Sequence, residues 1–87
     1  MKKDDLKELK SALSSKLAPL VLSSSDDSDA ETKIEILMSV IDDINDVYKP
    51  KIFRKAVILV DKIDGETAKL DAYMRIMRKL NGELETD

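Results

Sequence analysis

Five cations, Lys49, Lys51, Arg54, Lys55 and Lys62, crowd into fourteen residues of an otherwise acidic chain. Laid out at about 100° per residue, Lys51, Arg54, Lys55, Ile58 and Lys62 share one face of a helix, with Lys49 at its entrance. The opposite face carries Ile52, Phe53, Ala56, Leu59, Val60 and Ile63. Cations repeating at i, i+3, i+4, i+7 and i+11 on a rigid rod suit the charge repeat of a nucleic-acid backbone. Ile58 interrupts them. It either meets a sugar or a thymine methyl, or packs on a fourth element and narrows the stripe. A basic face that is only solvated is the plain alternative. No aromatic residue interleaves the stripe, which disfavours base stacking on single strands and favours contact with a duplex backbone.

Other chemistry finds few residues to carry it. The chain has no histidine and no cysteine, so the usual proton shuttle, thiolate nucleophile and soft metal ligands are missing, and no disulfide can form. Gly65 and Gly82 are the only glycines, and no phosphate-cradling loop can be written from them. Asp42, Asp43 and Asp46 read as a solvated helix face, and Asp26 with Asp27 as capping or solubilising acids rather than a cation site. A non-enzymatic protein without metal or cofactor is expected.

Charge is unevenly distributed. Residues 1–48 hold six Lys/Arg against eleven Asp/Glu, residues 49–82 hold nine against four, and residues 83–87 add three acids, so a basic module sits inside a chain of net charge −3. Only 3% of residues are aromatic, and a core of Leu, Ile, Val, Met and Ala favours helices. No apolar run reaches the length of a membrane span and none reads as a secretory signal. A cytoplasmic location, in a bacterium or a phage-infected host cell, is expected.

The elements that position these residues are four helices, at about 3–18, 28–48, 50–63 and 65–81, making one small all-α bundle over residues 1–87. Leu6, Leu9, Leu13 and Leu17 recur along the first helix, and Pro19 ends it. A loop over 23–27 leads to Ser28, which with Glu31 forms a capping box. Ala30, Ile34, Leu37, Ile41, Ile44 and Tyr48 make a heptad seam on the second helix. That seam is either a core face or a helix–helix dimer contact. Pro50 begins the third helix. Asp64-Gly65 starts the fourth, whose buried stripe is read as Leu70, Tyr73, Met74, Met77 and Leu80, before Asn81-Gly82 stops it and an acidic tail follows at 83–87. At 87 residues the core is small, and a homodimer through the second and fourth helices, using Ile34, Leu37, Ile41, Ile44, Tyr48, Tyr73 and Met77, is expected to supplement it.

The runs Ile41 to Tyr48, Lys49 to Val57 and Asp71 to Met77 resemble two helical groups: the small double-stranded DNA-binding protein of T-even-like phages and the GapR nucleoid-associated family. The resemblance covers about residues 34–82. It implies a self-associating, non-enzymatic helical protein that grips duplex DNA with little base readout, in phage transcription or DNA organisation. Carried over by position, the contacts are Lys49, Lys51, Arg54, Lys55 and Lys62. GapR-like chains have a longer, glycine-containing connection where Tyr48-Lys49-Pro50 stands here. The other reading is a small phage-type regulator or inhibitor whose acidic half, Asp26 to Asp46, meets a transcription or host protein.

Overall fold

The computed structural model describes residues 2–24 and 28–85. Among them lie four α-helices and no strand: α1 (Lys3–Ser23), α2 (Ala30–Val40), α3 (Lys49–Val60) and α4 (Glu66–Glu85), with a 3-10 turn over Ile41–Asp43 after α2. The fold is all-α, as the periodicity predicts. None of these helices is long and apolar enough to cross a membrane.

α2 is the central rod, packed against α1, α3 and α4. Its Ile34, Leu37, Met38 and Val40 join Ile41, Ile52, Phe53, Ala56, Leu59, Val60 and Ile63 in one buried cluster. The seam on α2 is therefore the intramolecular core face, and Ile34, Leu37 and Ile41 have no surface left for a second copy.

The ends of the elements depart from the sequence reading for local reasons. Pro19 lies inside α1 rather than ending it. A proline there removes one backbone donor and crowds the carbonyl four residues back, but continuing the helix one more turn buries Val21 against the core. The capping box is not the start of α2: Asp29 is the N-cap, in the left-handed region at φ 56°, and its side chain makes no capping hydrogen bond. Asp26 and Asp27, with most of the 23–27 loop, lie outside the described residues.

α2 stops eight residues short of Tyr48. Asp42 and Asp43 fall at its C-terminus, where the dipole disfavours anions, and Asn45 then turns the chain: its Oδ1 accepts from the Val47 amide at 3.0 Å, and its carbonyl from the Tyr48 amide at 2.9 Å. Asn81-Gly82 does not stop α4, which runs to Glu85. One glycine in a helix costs only about 1 kcal/mol, and Glu83 beyond it is held by Lys49 at 2.8 Å.

Two helices bury the side that periodicity does not select. α1 docks through Ser14, Ala18 and Val21, leaving Leu6, Leu9, Leu13, Leu17 and Leu20 exposed. α4 docks through Ala72 and Ile76, flanked by half-buried Ala68 and Leu80, and exposes Leu70, Tyr73, Met74 and Met77, so the buried stripe expected on α4 holds only for Leu80. In both cases the docked stripe contains small residues, which let the helix axes approach closely, and the large apolar stripe faces out.

Candidate nucleic-acid interface

Burial of Ile52, Phe53, Ala56, Leu59 and Val60 fixes the rotation of α3 about its axis, so the opposite side must face water. Lys51, Arg54, Ile58 and Lys62 are all exposed there. Lys51 and Ile58 stand about 10 Å apart along the axis, and Lys62 follows in the turn closed by its own amide to the Leu59 carbonyl at 3.0 Å. Neither Arg54 nor Lys62 has an ion pair or side-chain hydrogen bond among the described residues. The Lys51 ammonium lies 5.8 Å from the centre of the Tyr48 ring, within cation–π range but without neutralising its charge.

Two of the expected contacts are already engaged. The Lys49 ammonium donates to Glu83 at 2.8 Å and lies 3.0 Å from Asp46, with only 18% of its side chain exposed. The hydrogen bond to Glu83, then that to Asp46, holds its pKa above the ordinary lysine value, with desolvation opposing them. Lys49 thus straps α3 to α4. Sequence alone misses this strap, because a stop at Gly82 puts Glu83 in a tail, whereas α4 carries it through to Glu85. Lys55 is half-buried, and its ammonium donates to the Ser24 carbonyl at 3.1 Å, tying α3 to the end of α1. The open rail is Lys51, Arg54, Ile58 and Lys62.

Ile58, 52% exposed, packs on no fourth element among the described residues. With Phe53, Arg54 and Val57 it lines a shallow, almost wholly apolar depression of about 410 Å³. The rail is asymmetric in charge: Asp61 and Asp64 are exposed beside Lys62, whereas Lys51 and Arg54 have no acid adjoining them in sequence. Asp61 accepts a hydrogen bond from the Tyr73 hydroxyl at 3.2 Å, which raises the tyrosine pKa.

A second group of cations, Arg75, Arg78 and Lys79 on α4, borders a depression of about 790 Å³. Asp42, Asp71 and Glu83 share that wall, and Lys79 pairs with Asp42 at 3.0 Å. Equal numbers of both signs give it no excess field for a polyanion.

The proposed oligomer residues do not come together. Ile34, Leu37 and Ile41 are inside, Ile44 is half-buried in an extended residue after the 3-10 turn, and Tyr48 is the N-cap of α3. Tyr73 and Met77 remain open on α4. The exposed leucine ridge of α1 was in view in the sequence, but periodicity does not tell an inward stripe from an outward one. No family model, curated protein or solved structure matches the chain.

Proposed function

We propose that this protein binds duplex DNA through the outer face of α3, without catalysis, by charge contacts from Lys51, Arg54 and Lys62 and apolar contact from Ile58. The role that fits such a protein is in phage transcription or DNA organisation. The observation that carries the reading is the open state of Arg54: a permanently charged guanidinium, able to grip phosphate with two parallel donors, stands on a core-anchored rod with no carboxylate on it among the described residues. Ile58 beside it offers an apolar contact between the cations.

Fluorescence anisotropy on a random-sequence duplex and the matching single strand tests this at low salt. Duplex binding should be the tighter, and Lys51→Glu and Arg54→Glu should each weaken it on every sequence alike. Lys49→Glu should change it far less, because that ammonium already serves Glu83.

One observation favours a second reading, a protein partner for the acidic half. Asp29, Glu31 and Glu35 are exposed and have no ion pair among the described residues, a surface suited to a basic transcription or host protein. Wild-type protein that shifts no duplex at low salt would leave this second reading standing and remove the first.

A further inference from the structure

The first eleven residues of α1, Lys3 to Leu13, are all exposed. Among the described residues, one ion pair ties them to the body, Lys10 to Asp43 at 3.3 Å, and it does not complete a hydrogen bond to that Asp43 oxygen. A helical stretch this short draws its stability from a packed face, and the apolar face it carries is Leu6, Leu9 and Leu13, continued along α1 by Leu17 and Leu20, each 40–68% exposed. Contiguous apolar surface of this kind marks an interaction site.

The ridge has a symmetry that selects its occupant. Its spacing is three, four, four, three, the same from either end. A two-fold axis through Leu13 sets Leu6 against Leu20 of the partner subunit, Leu9 against Leu17 of the partner subunit, and Leu13 against its own copy. That self-complementarity is what an isologous contact requires. The edges agree. Asp5 and Lys16 lie on the same flank at about 100° per residue, and an antiparallel pair brings one beside the other's copy, about 7 Å apart along the axis. Lys16 has no ion pair within the chain among the described residues.

We infer that α1 is a homodimerisation helix, pairing antiparallel with α1 of a second copy about a two-fold axis at Leu13. This surface is separate from the α2 seam, which is closed inside the core, and it does not depend on the reading of α3. Five half-exposed leucines per chain make an interface at the small end of the known range, so a dissociation constant on the order of micromolar is expected.

Sedimentation equilibrium of the full chain from about 1 to 500 µM, a range spanning that constant, should show a monomer–dimer transition. Leu13→Glu places two charges at the axis and should raise the dissociation constant by about a hundredfold or more, whereas Met77→Glu on α4 should leave it unchanged. A wild-type monomer throughout the range, or dimer loss with Met77→Glu but not with Leu13→Glu, would overturn the inference. Because the chain has no cysteine, single-cysteine variants report the geometry. Leu13→Cys should form a disulfide with itself. Leu6→Cys should not, since an antiparallel pair separates its copies by about 21 Å, but should link to Leu20→Cys. Self-linking of Leu6→Cys without linking to Leu20→Cys would overturn the antiparallel arrangement.

Discussion

Leu37 on α2 and Leu13 on α1 look alike in the sequence, each a leucine within a heptad-like stripe, yet the structure gives them opposite environments. Leu37 is 0% exposed and Leu13 is 52% exposed. Truncating each to alanine should therefore separate them by several kcal/mol. Leu37→Ala deletes a fully enclosed side chain, which costs about 2–5 kcal/mol. Against a total stability on the order of 4–13 kcal/mol for a domain of this length, that is a large share, and it should lower the melting temperature by more than about 10 °C.

Leu13→Ala leaves the monomer's core untouched and should stay within about 0.5 kcal/mol in dilute solution. Its effect should then grow with protein concentration, because a ridge that pairs with a second copy lends the wild type stability by mass action that the variant would lose. Urea unfolding followed by circular dichroism, at low and at high micromolar concentration, reads both quantities. A loss of about 2 kcal/mol or more for Leu13→Ala in dilute solution would mean that the ridge is packed within one chain, and the outward-facing assignment of α1 would be refuted.

Charge reversal at Arg54 should weaken duplex binding and reduce the magnitude of the salt slope by about 0.9, whereas Lys49→Gln should leave that slope unchanged. In a Tyr48→Phe background, Tyr73 should titrate above the ordinary tyrosine value of 10.0 because its hydroxyl donates a hydrogen bond to the Asp61 carboxylate, and Asp61→Asn should lower it; tyrosinate absorbance decides. Both Tyr73 and Lys49 have folded-state pKa values raised above their unfolded ones. Their contributions are whole below about pH 10 and fade as pH rises through the folded values, so Lys49→Gln should make urea stability less sensitive to pH in that alkaline window. Gly65→Ala should destabilise by about 1–2 kcal/mol, because Gly65 sits at φ 98° with nothing within 4 Å of an added Cβ, making the cost one of backbone conformation that thermal melts will show.

The class of fold was legible because helical periodicity survives in each of the four helices, and the α3 core face, Ile52, Phe53, Ala56, Leu59 and Val60, was read residue for residue, although the helix ends at Val60 and Ile63 is buried just beyond it rather than within it. The orientation of α1 and α4 was not legible. Periodicity finds the largest apolar stripe, but Ser14–Ala18 and Ala68–Ala72 permit closer helix approach than leucine or methionine does, and that contact is tertiary. Along the basic stripe, the exposure of Lys51, Arg54, Ile58 and Lys62 followed directly from the inward set. The engagement of Lys49 did not, since it depends on Glu83, 34 residues away, being carried on a helix that continues through Gly82. Tyr48 and Ile44 were lost from the α2 seam through the side chain of Asn45, a turn signal that the heptad reading overrode.

The open α3 rail is tested most directly by the salt dependence of wild-type binding to a random-sequence duplex. Three open cations predict that log affinity falls against log salt with a slope of about −3 per chain. Binding that does not respond to salt, or no binding even at low salt, would contradict the account.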